Sequence, residues 1–249
     1  MWEFSLYFNG SLLPYFENFK IWLKTLLKNE LNCVAIGSFK DDFVLMMAFD
    51  KKTYNSKILA IKKAIANIIC MHYKPSNITS KIDNFNLSNK GNIFLLYVLY
   101  CMDIKSDIAE IVSRLSLIEE LYLNSFVHFK LTDIEKRWQD VGSLINQNSL
   151  FLVDDAIKKE LMQFLMNGIK SDKKCLKLLL KSGEMKIFDD GKVVEKQKSF
   201  LGRTDADNTL FTLIYEFPEK IEIEGYKKFS VHFISDLYQV FGDRVKFLE

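Results

Sequence analysis

Four cysteines and three histidines are the side chains in this sequence best suited to nucleophilic catalysis or metal ligation. The cysteines lie at positions 33, 70, 101 and 175 (Cys33, Cys70, Cys101 and Cys175). No two of them are separated by two residues, which is the gap typical of zinc sites and dithiol redox motifs. Cys70 and His72 are two positions apart on a predicted helix, so their side chains point in different directions. We therefore predict four reduced, mostly buried thiols, and neither a metal ion nor any other cofactor.

An acidic stretch near the C terminus shares charged positions with a calcium-binding loop. Asp205, Asp207 and Glu216 match positions 1, 3 and 12 of such a loop, but Leu210 stands where the loop requires glycine. Apolar residues also recur there at helical spacing. We therefore predict a helix start capped by Asp207, and no metal site.

Recognised catalytic signatures are absent from the sequence. The glycine-rich phosphate loops and the nucleophile elbow do not occur, and the paired aspartates lie at predicted turns or helix starts, where Asp is favoured for local hydrogen bonding. His128 is the best remaining candidate for a general base, although we favour a histidine that faces solvent on a strand. The sequence assigns no catalytic residue, and we lean towards a protein that is not an enzyme.

Composition favours a folded, cytoplasmic protein. Of the 249 residues, 49% are apolar, which is enough to bury a core. The longest apolar run, residues 93–102, is about half the length that a membrane span needs, so we predict no membrane span. The net charge is only +2, although residues 1–85 are more basic, with 11 Lys or Arg against 7 Asp or Glu.

The hydrophobic pattern predicts an α+β fold whose N-terminal part is a β-α-β-β-α unit. Residues 3–8 alternate as in a strand, and residues 12–28 carry apolar side chains at helical spacing. Two further strands follow at residues 32–36 and 43–49, and then a helix capped by Ser56 that runs to about residue 73. The polar stretch 77–92 marks the best internal boundary.

A helical region is predicted to follow this boundary, as a central bundle. Residues 93–102 and 104–123 have the pattern of nearly continuous helices, whereas residues 126–131 alternate like a short strand. Two more helices begin at Thr132 or Asp133 and at the Asp154–Asp155 pair, and the second ends near Gly168.

The C-terminal part is predicted to be a small mixed sheet with two helices. Tight-turn signals at Ser182–Gly183 and Asp189–Gly191 favour a meander with strands at 175–181, 184–188 and 192–196. The alternative, which we do not prefer, is a basic amphipathic helix lined by the lysines at positions 170, 173, 174, 177 and 181. Helices capped by Asp207 and near Ser230 then flank strands at 220–224 and 244–248, which we expect to be parallel.

The predicted organisation is therefore an N-terminal α/β unit (1–85), a helical region (86–174) and a C-terminal α/β unit (175–249), which we expect to pack as one compact domain.

Three stretches, in the same order and at similar spacing, resemble the YtxC-like sporulation proteins of spore-forming Firmicutes. They are residues 124–131 (NSFVHFKL), residues 158–165 (KKELMQFL), and residues 207–223 with the closing 241–245 (FGDRV). Ser125, Lys130 and Leu161 stand where the family pattern has Gly, Arg and Tyr, so the chain would be a divergent member. The resemblance implies a cytosolic protein with a role in sporulation, and it implies no biochemical activity.

These observations lead to three hypotheses about function. The first is a non-enzymatic binding or regulatory protein that contacts an unknown protein partner through a surface formed by Phe126, His128, Phe129, Lys130 and Asp133. The second is a nucleic-acid-binding protein that uses the basic N-terminal third. The third is an enzyme whose site is assembled from scattered residues.

Overall fold

The computed structural model describes residues 2–27, 33–148, 150–169, 175–201 and 204–248. It confirms the predicted α+β class. The first half of the chain forms β1 (Trp2–Phe8), α1 (Leu13–Leu26), β2 (Cys33–Phe39), β3 (Asp42–Phe49), α2 (Lys51–Thr79), α3 (Lys90–Cys101), α4 (Ile104–Arg114) and β4 (Glu119–Tyr122). The second half forms α5 (Leu123–Lys130), α6 (Thr132–Gln147), α7 (Leu150–Val153), α8 (Asp155–Gly168), β5 (Cys175–Lys181), β6 (Glu184–Asp189), β7 (Lys192–Val194), α9 (Asp205–Glu216), β8 (Lys220–Glu224), α10 (Val231–Phe241) and β9 (Val245–Leu248).

The chain divides into two compact units, and neither is continuous in sequence. The first unit contains residues 1–81 and 103–142, and the second contains residues 82–102 and 143–249. The helices predicted as one central region are shared between them: α4 and α5 belong to the first unit, whereas α3 and α8 belong to the second.

The first unit contains a four-stranded sheet in the order β2-β3-β1-β4. β2 and β3 form an antiparallel hairpin, and helix α1 connects β1 to β2. β3 is therefore antiparallel to β1 as well, whereas β4 is parallel to β1. Phe4, Leu6 and Phe8 alternate into the core, as their spacing predicts. The predicted β-α-β-β-α order is confirmed.

Helix α2 is longer at both ends than the sequence indicated. Asp50, and not Ser56, caps it, because the Asp50 carboxylate accepts hydrogen bonds from the backbone N–H groups of Lys52 (2.8 Å) and Thr53 (2.9 Å). The helix then continues through Pro75 to Thr79. A predicted end near residue 73 is therefore wrong, since a buried Pro75 is accommodated inside the helix.

The predictions for residues 104–131 also need correction. The predicted helix over 104–123 ends at Arg114, and β4 follows it. The segment predicted as a strand at 126–131 lies in helix α5 as far as Lys130, and Leu131 is the residue that follows this helix. The reason is that Leu123, Phe126 and Val127 lie on one face of a helix and are all buried, which a strand with alternating sides would not allow.

The second unit contains a five-stranded sheet in the order β7-β6-β5-β8-β9. The predicted meander is confirmed as antiparallel β5, β6 and β7, and β8 and β9 are parallel. The alternative of a basic helix is wrong for residues 175–181, and its lysines at 170, 173 and 174 lie outside the described residues. The predicted cap of α9 at Asp207 is wrong: Thr204 is the capping residue, and Asp207, the third residue of the helix, completes a reciprocal capping box with it.

Two classes of feature are not found in the part of the chain that the structure describes. None of these helices has the length and apolar character needed to cross a membrane. Over the same residues, no cluster of three or more His, Cys, Asp or Glu side chains is arranged to hold a metal ion.

Candidate functional site

The five residues predicted to form a binding surface lie together where α5 turns into α6. We call residues 126–133 the α5–α6 corner. Phe126 is buried and belongs to the core of the first unit. The other four reach the surface, and the Phe129 side chain is 80% exposed. The corner therefore presents one aromatic ring surrounded by His128, Lys130 and Asp133.

Arg114, at the C-terminal end of α4, fixes this corner. Its guanidinium donates a hydrogen bond to the backbone oxygen of Lys130 (2.8 Å) and two to the Asp133 carboxylate (2.5 and 2.6 Å). A planar guanidinium that binds a carboxylate through two N–H groups holds its geometry better than a single contact does. The last turn of α5 and the first turn of α6 are consequently tied to a third helix.

The Arg114–Asp133 pair has an electrostatic signature. The hydrogen bonds from Arg114 lower the pKa of the Asp133 carboxyl to about 2. The same contact raises the pKa of the Arg114 guanidinium. Both groups thus remain charged throughout the physiological pH range.

We expect the substitution Arg114→Gln to raise the pKa of Asp133 towards its ordinary value of about 4. In the folded protein this pKa lies below its value in the unfolded chain, so the pair stabilises the fold above about pH 4. That contribution is lost as the pH falls from about 4 to about 2. An NMR titration of the Asp133 carboxyl carbon measures the shift.

The control for this titration is Lys90→Gln, which removes a different surface ion pair, with Asp236 (2.6 Å). It should leave the titration of Asp133 unchanged. An Asp133 that titrates near pH 4 in the unsubstituted protein would contradict the pairing with Arg114.

A buried ion pair supports the corner from within the first unit. The Lys74 ammonium on α2 lies 2.8 Å from the Asp107 carboxylate on α4, and the two side chains are only 4% and 5% exposed. The Asp107 carboxylate also accepts a hydrogen bond from the indole N–H of Trp138 on α6 (2.9 Å). This network joins three helices, and Glu110 extends it by pairing with Arg114 and Arg137.

His128 and Glu135 form a second polar contact at the corner. The His128 Nδ1 atom lies 3.3 Å from a Glu135 carboxylate oxygen, and the other Glu135 oxygen accepts a longer hydrogen bond from Asn77 (3.4 Å). Such a pair orients an imidazole, as general acid–base chemistry requires. However, the His128 side chain is 63% exposed, so the corner does not exclude water as an active site does.

The cysteines do not supply a nucleophile to this network. Burial, followed by the negative charge of Asp107, raises the pKa of the Cys70 thiol, which therefore stays protonated and unreactive. Cys101 is also buried, Cys175 is partly buried and Cys33 is exposed, and all four are free thiols. Fewer of them are buried than the sequence indicated.

The basic residues of the N-terminal third are distributed over α1 and α2. Lys20 pairs with Glu17 (2.7 Å), so part of its charge is neutralised within the same helix. Lys57 and Lys62 are partly buried and Lys63 is exposed, while residue 28 lies outside the described residues. Of these four described lysines, one is therefore paired with an acidic side chain and two are partly buried.

Sequence reasoning missed Arg114, Lys74 and Asp107, which hold the corner in place. A signal existed for part of the set, because Asp107, Glu110 and Arg114 are spaced so that they share one face of α4. No local pattern could connect them to Lys74, which lies on another helix.

Comparisons of this chain with protein-family models, with curated proteins and with solved structures give no match.

Proposed function

We propose that this protein is a non-enzymatic binding module of the cytoplasm, that it acts in sporulation, and that its α5–α6 corner contacts a protein partner. The resemblance of three sequence stretches to YtxC-like proteins supports the setting in sporulation. The geometry of the corner supports the binding role.

The observation that carries the binding role is the exposure of Phe129 on a fixed helix. A phenylalanine that is 80% exposed leaves a large apolar surface in contact with water. Because Arg114 ties both sides of the turn, the ring is presented with little freedom of its backbone to lose on binding. Rigid aromatic anchors of this kind contribute most of the affinity at many protein interfaces.

The residues around Phe129 suit the rim of such an interface. Lys130 and Asp133 have opposite charges, and the His128 side chain is a hydrogen-bonding group. A polar rim around an apolar centre is the usual composition of a protein interface. The backbone oxygen and carboxylate that bind Arg114 are already used, so a partner would contact mainly the Phe129 ring and the side chains of His128 and Lys130.

We expect Phe129→Ser to weaken partner binding by about 30-fold, the effect of losing an aromatic anchor at the centre of an interface. Because the Phe129 side chain is 80% exposed, the melting temperature should change by no more than about 2 °C. Irradiation of sporulating cells that carry p-benzoylphenylalanine in place of Phe129 identifies the partner, and titration of that partner with the unsubstituted protein and with Phe129→Ser measures the loss of affinity. A discrete covalent adduct with one protein is the expected product.

The matched control is Phe164, an exposed phenylalanine on α8 (72%) that lies in the second unit. The photoreactive group at this position should not give the same adduct, and Phe164→Ser should leave partner recovery and sporulation unchanged. The same adducts from both positions, or none from Phe129, would overturn the proposal.

Treatment with nuclease distinguishes the alternative of nucleic-acid binding. An adduct that survives nuclease supports a direct protein contact. Recovery of nucleic acid that depends steeply on salt, with no adduct at Phe129, would favour the basic N-terminal third instead.

A further inference from the structure

The four-stranded sheet of the first unit has one face that packs against helix α1 and one face that is exposed. Successive side chains of a strand point to opposite sides of its sheet. Phe4 and Phe8 of β1 are buried, and the Phe8 ring lies 4.2 Å from the ring of Phe16 on α1, measured between centroids. Ser5 and Tyr7 therefore point to the opposite side, together with the residues of β2, β3 and β4 that are in register with them. We call this side the outer face, and it shares no residue with the α5–α6 corner.

Large apolar and aromatic side chains are exposed on the outer face. Phe39 and Met46 are each 43% exposed, and Tyr122 is 48% exposed. The Tyr7 ring stacks on the Tyr122 ring, with centroids 4.4 Å apart, and meets the Phe39 ring edge-on at 5.3 Å. These three rings form a row that reaches from β2 to β4. The solvent side of an antiparallel sheet is normally polar, so an apolar surface of this kind indicates an interaction site.

The charged side chains of the strands on the outer face are all negative. The register places Glu3, Asp42 and Glu120 there, and all three are exposed. The sequences of β1, β2, β3 and β4 contain no Lys or Arg. Lys40 and Asp41, in the turn between β2 and β3, have opposite charges that cancel. A molecule that covers this face must therefore supply apolar surface together with positive charge.

The size of the outer face limits what can cover it. Three strands of seven or eight residues and one of four, about 4.8 Å apart with a rise of about 3.3 Å per residue, give an area on the order of 400 Å². A stable complex of two globular proteins buries about 800 Å² on each partner. The outer face alone is therefore too small to hold a second copy of the chain. One helix of about 15 residues is about 23 Å long, which matches the length of the longer strands.

We propose that the outer face binds an amphipathic helix of a partner protein, with basic residues on both sides of the apolar stripe of that helix. A helix that lies on a sheet buries one stripe against the side chains of the sheet, as the layers of a domain do. An added strand would instead pair with an edge of the sheet and leave the aromatic row uncovered. Lysine or arginine beside the stripe would reach the carboxylates of Glu3, Asp42 and Glu120.

Three synthetic peptides test the chemistry of the partner. The first is a fluorescein-labelled helix of about 18 residues, with leucines at helical spacing and lysine elsewhere. The second has glutamate in place of each lysine, and the third has the composition of the first in an order without an apolar stripe. We expect the full-length protein to bind the first peptide about tenfold more tightly than either of the others, measured by fluorescence anisotropy. Equal affinity for the lysine and glutamate peptides would overturn the proposal.

A charge placed in the apolar centre of the outer face tests where the lysine peptide binds. Met46→Lys should weaken its binding by about tenfold, because the new ammonium would be desolvated under the helix and would repel its lysines. The matched control is Val193→Lys on β7, at an exposed strand position (64%) of the second unit, which should leave the affinity unchanged. Thermal unfolding shows that both variants fold. Unchanged affinity in folded Met46→Lys would contradict the proposal.

Isosteric neutral variants test the carboxylates at exposed positions, where the fold does not depend on them. Glu3→Gln and Asp42→Asn should each weaken binding of the lysine peptide by about threefold, whereas Glu224→Gln on β8 should have no effect. Full affinity in both outer-face variants would show that their charges do not select the partner, and the proposal would fail.

An NMR signal on the outer face separates the possible occupants. The ε-methyl signal of Met46, assigned with a Met46→Leu variant, should shift when the lysine peptide is added. A shift with protein concentration alone would identify a second copy of the chain, and a shift with a single-stranded oligonucleotide but not with the peptide would identify a nucleic acid. Either result would overturn the proposal. Phe129→Ser should bind the lysine peptide with unchanged affinity, so this proposal and the role of the α5–α6 corner are tested separately.

Discussion

Replacing Lys74 by methionine is expected to lower the free energy of unfolding by about 3–5 kcal/mol. The substitution leaves the Asp107 carboxylate charged in surroundings where its side chain is only 5% exposed. The indole N–H of Trp138 and the more distant Arg137 guanidinium (3.5 Å) would remain, and they cannot replace the lost ammonium. Urea unfolding, followed by tryptophan fluorescence, measures the change.

A second substitution separates the cost of an unpaired charge from the value of the pair. Lys74→Met combined with Asp107→Leu removes both charges, so it should recover a large part of the lost stability. Recovery is incomplete because the Trp138 N–H then loses its acceptor. If Lys74→Met lowers the free energy of unfolding by less than about 1 kcal/mol, water has access to the Lys74–Asp107 pair in solution.

Replacing Gly142 by alanine is expected to destabilise the protein by about 3 kcal/mol, although alanine is normally the better helix former. Gly142 is buried in α6, where it packs against the last residues of α2. A Cβ at this position would overlap the carbonyl oxygen of Ile78 and lie 3.1 Å from the Lys81 Cβ. Because the obstructing atom belongs to the backbone, the two helices would have to separate.

Gly168 is the matched control, since it is the last residue of α8 and an added Cβ there meets nothing within 4 Å. Gly168→Ala should stabilise the protein by about 0.5–1 kcal/mol through the helix preference of alanine. Thermal unfolding of both variants tests the pair. Stabilisation by Gly142→Ala would show that α2 and α6 are not in close contact.

Elements marked by turn chemistry were predictable from the sequence. The glycines at 183 and 191 have φ values of 83° and 79°, as tight hairpin turns require, and they locate β5, β6 and β7. β4 was not predictable, because three of its four residues are exposed and only Leu121 is partly buried, and the strand forms by pairing with β1. Its stability therefore depends on a distant part of the chain and not on local pattern.

The candidate sites were only partly predictable for the same reason. The residues of the α5–α6 corner were identified from the sequence, but their secondary structure was predicted wrongly. The reason is that the polar residues His128 and Lys130 alternate with apolar residues, as in a strand. The spacing of Leu123, Val127 and Leu131, all buried, indicates the helix that is present.

The interleaving of the two units affects how the protein is made on the ribosome. Helix α3, whose residues 94–101 are all buried in the folded chain, emerges early, yet it packs against α8 and α9 of the second unit. β1 likewise cannot pair with β4 until the ribosome has synthesised more than a hundred further residues. During most of translation the nascent chain therefore displays its most apolar helix and an open sheet edge, and stalled or truncated products are its most aggregation-prone forms.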